Sequence, residues 1–422
     1  MDFPALAKLY EHWVDTPGWR LEPDFPRQEY DLRVQRARDR MAAADLDALV
    51  ITTNLVGRWF TSVREPHEWH DLCQARFAMY VLTQERDVLF MTPSAGGEHF
   101  NTTRRSTHVS EIRAIVERAT PPRVEIWALE QLPGIFAELG LEEARIGFEL
   151  GDCMTLGMSF LDFCRLKDLM PKADLVDGSP VIRWLMSVLT PWELENLRTA
   201  CEAAVWIHER VPEILRPGMT EREFLDRLNQ RVTEQYRPPF EYHHAGAWDV
   251  RNASAPETSN SFHAVVTDRP FMVGDVIMRG YSGIAYRGYT ADIDRVWVVG
   301  EPTPEVRDLY RLTWECNRAM AEVLRPGITC ADVYEAGARV ERRWGRPPRG
   351  TGRTGHGYRN TGSLSVHPDN TIVLEPGMVI SVEPMFPTIH GFFDLEDQYV
   401  ITEDGALCLH TPAPEHLPVI PA

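Results

Sequence analysis

The chain has no apolar run approaching the ~18 residues that a membrane helix needs, so no spanning segment is expected. Its first residues, MDFPALAKLYEHWVD, break every apolar stretch with acidic side chains, and no secretory leader is expected either. Basic residues are outnumbered: 44 Lys and Arg stand against 62 Asp and Glu, a formal charge of -18. That balance argues against nucleic acid or an anionic membrane surface as partner. Cysteine is sparse. The seven present have no paired spacing, which fits reduced thiols in a cytoplasm better than a disulfide framework. What remains is an ordinary globular composition, 44% hydrophobic and 25% charged, in 422 residues that suggest two or three domains.

The stretch from Gly274 to Gly300, GDVIMRGYSGIAYRGYTADIDRVWVVG, reads as two apolar strands around a glycine- and tyrosine-rich turn. Strand periodicity places Asp292 and Asp294 on one face. A second stretch repeats the layout: Gly377 opens GMVISVEPMF, and the returning strand carries Glu396 in LEDQYVIT. Counted from each opening glycine, Asp292 and Glu396 fall at nearly the same offset, as do Tyr281 and Glu383. Upstream, LRPGMT from Leu215 matches LRPGIT from Leu324, each preceding a helical pattern. The second half of the chain is therefore expected to be an internal duplication of helix, helix and strand hairpin, whose halves face each other about a pseudo-twofold axis.

Ahead of it, helical and strand signals alternate from about Arg27 to Leu185, predicting a separate α/β domain. A helix is expected over Glu29–Ala43, with strands at Asp47, Phe77, Asp87, Ala144 and Asp174. The aromatic loop around Trp59 and Phe60, with Trp69 behind it, reads either as core packing or as a loop reaching a substrate site. A boundary falls near Ser187, because Thr190-Pro-Trp-Glu is a capping box that starts a helix to about Ile214. Thr220 and Thr329 start the second helix of each repeat. His208, on the first long helix, reads as structural.

Histidines lie in the loops between helices and hairpins: His263 in SFHAVVTDR, His356 in GRTGHGYRN, and His367 ahead of a proline. Imidazole together with Asp and Glu on one duplicated domain suits a divalent transition metal.

These segments resemble the pita-bread fold family of creatinase, aminopeptidase P, prolidase and methionine aminopeptidase. The resemblance rests on FHAVVTDR before Gly274, on GYTADIDR from Gly288, on Gly355-His-Gly, and on LEPGMVISVEP and LED around Glu383 and Glu396. It covers nearly the whole chain and implies an α/β (α+β) architecture: a creatinase-type N-terminal α/β domain at 1–186 and a pseudo-twofold duplicated pita-bread catalytic domain at 187–422. By the same resemblance Asp292, His356, Glu383 and Glu396 sit at metal-ligand positions and His263 at the family's substrate-side or proton-transfer histidine. His367 is a further candidate proton donor.

Departures from the family pattern matter as well. A metal-binding aspartate of the peptidases is Tyr281 here, which implies one divalent ion, Mn, Fe or Zn, where they hold two. Arg279 either stands near the missing ion's place or points outward to solvent. Arg359 is a candidate clamp for a substrate carboxylate. Asp294 replaces the peptidases' usual threonine and aligns with an acidic residue that creatinase directs at its substrate.

The expected function is a metal-dependent hydrolase of the Xaa-Pro peptidase or prolidase type, acting on an amide C–N bond of a dipeptide or small amino-acid derivative. Glu383, His263 and His367 are its catalytic candidates; Arg279, Tyr281, Asp294, Arg359 and Trp59 are its substrate-binding ones. The alternatives are a metal-free hydrolase like creatinase or ectoine hydrolase, and a lyase of the dimethylsulfoniopropionate type. Family resemblance further implies a homodimer, and a cytoplasmic location is expected.

Overall fold

The computed structural model describes residues 22–63, 78–91, 103, 105–115, 118–120, 123–125, 129–152, 154–242, 251–254, 266–280, 284–346, 352–358 and 364–422. The chain divides into two compact units, Met1–Leu185 and Met186–Ala422.

The first unit is built on a six-stranded mixed sheet. Its strands are β1 (Ala48–Ile51), β2 (Ala78–Thr83), β3 (Asp87–Met91), β4 (Glu111–Ala114), β7 (Arg145–Phe148) and β8 (Asp174–Asp177), in the order β4-β3-β2-β1-β7-β8. A separate hairpin joins β5 (Arg118–Thr120) to β6 (Arg123–Glu125). β1 and β2 run antiparallel, whereas β1, β7 and β8 run parallel. Helices α1 (Arg27–Ala43), α2 (Asn54–Thr61), α3 (Leu132–Glu138) and α4 (Phe160–Leu169) belong to this unit. Fully apolar strands such as Ala48–Ile51, buried at every position, are what a sheet covered on both faces demands.

The expected aromatic loop is the helix α2. Its Trp59 is 4% exposed, meets Phe60 edge-on with centroids 4.7 Å apart, and lies under the Arg33 guanidinium at 4.8 Å. Arg33 also donates to the Trp59 carbonyl. Trp59 thus packs within the first unit. Trp69 lies outside the described residues.

The second unit repeats itself. In the first half, α5 (Pro191–Ile214) and α6 (Glu221–Gln235) precede β9 (Phe240–Tyr242), β10 (Arg251–Ser254), β11 (Val276–Gly280), β12 (Ile284–Tyr286), β13 (Tyr289–Thr290) and β14 (Arg295–Val299). In the second, α7 (Pro304–Glu322) and α8 (Cys330–Arg343) precede β15 (Gly355–Gly357), β16 (Val379–Val382), β17 (Met385–Thr388), β18 (Gly391–Asp394), β19 (Asp397–Ile401) and β20 (Ala406–Cys408), with β21 (Val419–Ile420) returning to pair with β14. The sheets β10-β11-β14-β21 and β15-β16-β19-β20 are counterparts, and β9 with β12 and β13, and β17 with β18, form smaller ones.

The expected helix starts at Thr190, Thr220 and Thr329 all form, each closed by a capping box. Two of them mark the repeat, because Thr220 bridges Pro270 as Thr329 bridges Val373. Equivalent hydrogen bonds recur: Gly218 N–H to Phe271 and Gly327 N–H to Leu374, then Gly274 N–H to Val299 and Gly377 N–H to Ile401.

The last pair sets the register of the halves. With Val276 opposite Val298 and Val379 opposite Val400, Asp294 is the counterpart of Glu396, Asp292 of Asp394, and Gly280 of Glu383. Counting from the opening glycines had placed Asp292 beside Glu396 and Tyr281 beside Glu383. The turns of the two hairpins differ in length, so a count carried from the opening glycines through the turn falls out of step.

Candidate metal centre

The candidate side chains come from strand ends of both halves. Asp292 and Asp294 lie just ahead of β14, Glu383 just past β16, and Glu396 just ahead of β19. Asp394 ends β18, and His356 is the middle residue of β15, opposite Ser381 of β16. Their ligand-type atoms fall into two groups, each with all members within 4.8 Å of one another: Asp292, His356 and Glu396, and Asp294, Glu383 and Asp394. Asp292 and Asp294, expected on one face, therefore serve different groups.

His356 is oriented by its neighbours. Its Nδ1 is 3.0 Å from the Gly357 carbonyl, which can only accept, so Nδ1 carries the proton. Nε2 then faces three carboxylate oxygens, at 3.5 Å from Asp292, 3.7 Å from Glu383 and 3.4 Å from Glu396. These separations exceed hydrogen-bond lengths and suit atoms that share one divalent ion about 2 Å from each. The carbonyl that fixes the tautomer is a common partner of a metal-binding histidine.

Burial makes the crowding of anions severe. His356, Glu383 and Glu396 are 6%, 0% and 1% exposed, while the Asp292 side chain keeps 29% and marks the open side. Burial first, then repulsion from Asp292 and Glu383, pushes Glu396 well above the usual carboxylate range. Burial, then Asp294 and Glu383, does the same to Asp394.

Arg279 does not point outward. It is 1% exposed, burial pushes it down to about 10, and Asp294 opposes that shift. The close approach of Asp294 requires glycine at 280, since a β-carbon there would lie 2.8 Å from the Asp294 carboxyl carbon.

Supporting residues sit behind these groups. Gln398 accepts the Asp292 backbone N–H at 3.1 Å through its side-chain oxygen. His208 Nε2 donates to the Ile293 carbonyl at 3.0 Å, and its ring stacks on Trp297 with centroids 5.7 Å apart. The expected structural role of His208 is thus to hold the backbone between the two aspartates. Arg295 binds the backbone carbonyls of Asp294 and Glu396, each at 2.8 Å, and the Asp397 carboxylate at 2.9 Å.

Residues 33–188 match the creatinase/prolidase N-terminal domain, and residues 195–403 match metallopeptidase family M24. The chain belongs to family M24. A probable dipeptidase PepE of Mycobacterium bovis is 29% identical over 370 residues, spanning 82% of this chain and 93% of its own length. A creatinase of a Bacillus species is 26% identical over 93% of both chains. The crystal structure of dipeptidase PepE from Mycobacterium ulcerans superposes with a TM-score of 0.74 at 26% identity, covering 94% of this chain and all of that one.

Within this M24 member, His263, Tyr281 and Arg359 lie outside the described residues. His367 is described: its Nδ1 accepts the Asp369 backbone N–H at 3.2 Å, closing its own turn. No contact among the described residues ties it to either group. Asp394 and Gln398 were missed in the sequence. The signal for Asp394 was present, as an Asp-X-Asp at 292–294 answered by an Asp-X-Glu at 394–396 once the hairpins are aligned from their closing strands.

Proposed function

We propose that this M24 enzyme hydrolyses the amide C–N bond of a dipeptide or small amino-acid derivative at a divalent ion held by Asp292, His356, Glu383 and Glu396. The observation that carries this reading is the fixed tautomer of His356, whose Nε2 lone pair faces three carboxylates. Lone pairs converging in a buried place repel one another unless a cation lies among them. The mixed nitrogen and oxygen donor set suits Mn, Fe or Zn.

A divalent ion in such a site supplies Lewis acidity, lowering the pKa of water and offsetting charge that develops on a carbonyl oxygen. Glu383, 3.7 Å from His356 Nε2 and sealed from solvent, is placed to carry a proton from water to the departing nitrogen. Asp292, the most exposed of the four, sits on the side from which a substrate enters. Gln398 and His208 hold the Asp292–Asp294 backbone in place while the proton moves.

The relatives named as dipeptidases support a dipeptide substrate. The likeness to creatinase supports a small amino-acid derivative processed without metal as the second reading. Buried cysteines without disulfides, Cys201, Cys316 and Cys330, support a reducing cytoplasm. A homodimer is proposed from the family resemblance, and light scattering tests it.

The functional test is hydrolysis of a panel of Xaa-Pro dipeptides and N-substituted amino acids before and after chelation, with metal content measured in parallel. We expect activity that chelator removes and Mn2+ restores, and none in His356→Ala. Full activity in metal-free protein would transfer the assignment to the creatinase-like reading.

A further inference from the structure

One residue on each long helix holds the hairpins from behind. His208 of α5 and Asn317 of α7 are equivalent positions, each seven residues before the leucine of its Leu-Arg-Pro-Gly, at Leu215 and Leu324. Their contacts correspond as well. His208 Nε2 donates to the Ile293 carbonyl, and Asn317 Nδ2 donates at 2.8 Å to the carbonyl of Leu395, the counterpart of Ile293 in the register of the halves.

The second contact differs. Asn317 Nδ2 has another N–H, which it gives to the Val382 carbonyl at 3.2 Å. The counterpart of Val382 is Arg279. A neutral imidazole has one N–H, already used on Ile293, and His208 Nδ1 is buried without a partner among the described residues. The half that carries Glu383 after its outgoing strand therefore has this bond, and the half that carries Gly280 in that place lacks it. The support follows the ligand.

Asn317 grips the backbone where the sheet stops holding it. The registered pairs of β16 and β19 end at Val382 opposite Asp397, so Glu383 and Glu396 both lie past the last of them. The Val382 carbonyl belongs to the planar peptide that leads into Glu383, and the Leu395 carbonyl to the one that leads into Glu396. One amide nitrogen joined to both fixes how far apart the two glutamate backbones stand. The amide is itself held in orientation: Asn317 is 0% exposed, and its Oδ1 accepts from Arg318 Nε at 3.1 Å, whose guanidinium also binds Asp397.

We infer that Asn317 is a positioning residue that sets the spacing of Glu383 and Glu396, and through it the geometry and affinity of the ion they hold. This role rests on the hydrolase reading for the ion itself.

The test uses the full chain, stripped with chelator and titrated with Mn2+ for affinity and with Co2+ for the visible absorption bands that report ligand geometry. Asn317→Leu keeps the bulk and removes both donors. With a native circular dichroism spectrum, it is expected to bind Mn2+ roughly 10- to 100-fold more weakly and to shift the Co2+ bands. Thr313→Val is the control, because Thr313 is equally buried on the preceding turn of α7 and its hydroxyl donates within that helix, to the Leu309 carbonyl at 2.8 Å. It should keep the wild-type affinity and bands. Should Asn317→Leu fail to fold, Asn317→His retains one donor, as in the other half, and is expected to shift the bands with a smaller loss of affinity.

Wild-type affinity and bands in a folded Asn317 variant, or an equal loss in Thr313→Val, would overturn the positioning role and leave the hydrolase reading standing. A wild type that binds neither ion would overturn both.

Discussion

The side-chain oxygen of Gln398 accepts the Asp292 backbone N–H at 3.1 Å and lies 3.5 Å from the Cys201 sulfur. Neither contact touches a substrate, so Gln398 is a positioning residue for Asp292. Gln398→Leu keeps the bulk and removes the acceptor, leaving the Asp292 N–H unsatisfied. Loss of such a supporting hydrogen bond typically costs roughly 10- to 100-fold in metal affinity. That is the expected result in a Mn2+ titration, with a native circular dichroism spectrum. Residues at this scale were unevenly legible. His356, Asp292 and Glu396 were readable because short motifs surround them. Asp394 was hidden: its partner in the other half is identified by strand register, and register depends on hairpin lengths that adjacent residues do not reveal.

Among the elements, β15 has the tightest tolerance. Gly355 has φ +156, and a β-carbon there would strike the Ser381 carbonyl of the neighbouring strand, with the Val366 side chain 3.0 Å away. Backbone cannot yield as a flexible side chain can. Gly355→Ala is expected to push β15 off β16, displace His356, and destabilise the protein by roughly 2–4 kcal/mol. Urea denaturation with metal counting checks both effects, and unchanged metal binding would show that the strand has another way to accommodate the methyl. Helix starts were readable in advance, because Thr190, Thr220 and Thr329 carry their caps in local chemistry. The helix Asn54–Thr61 was not: Gly57 interrupts the pattern, and aromatic residues in so short a stretch look like a loop until packing around Arg33 decides otherwise.

Across the whole molecule, acid sensitivity follows from buried histidines that are not members of either ligand group. His410 accepts the Gln398 backbone N–H at Nε2, 3.1 Å away, and its Nδ1 donates to the Thr411 carbonyl at 3.0 Å. Both partners demand the neutral ring. Burial pushes its pKa down to about 4; Asp397 opposes that shift and Arg295 adds to it. Burial, then Arg279, also holds His208 well below its ordinary value. Between about 4 and the unfolded value near 6.5, the unfolded chain binds protons that the folded one refuses, so stability falls as pH drops through that window. His410 alone contributes on the order of 2–3 kcal/mol. Urea midpoints measured from pH 7 to 4 should decline, and His410→Gln, which keeps a neutral acceptor, should flatten the curve. Asp397 acts lower in pH: burial raises it, but Arg295, His410 and Arg318 outweigh burial and hold its carboxyl below the ordinary range. Its stabilising effect is complete above the unfolded value near 3.9 and is lost as pH falls through its lower folded value. The duplication itself was legible at this scale because it repeats whole phrases of sequence, whereas no local pattern encodes which carboxylates the dyad brings together.

The ligands of the candidate centre are distributed along the chain so that each half of the duplication holds only part of the set. Asp292 leaves the ribosome roughly a hundred residues before Glu396, about 5–20 s at ordinary rates of synthesis. During that interval the nascent first hairpin has no partner with which to grip an ion. Metal loading is therefore a late event in the life of each molecule, governed by the ions available where folding finishes. A cell that changes its supply of divalent metal would alter the composition of newly made enzyme.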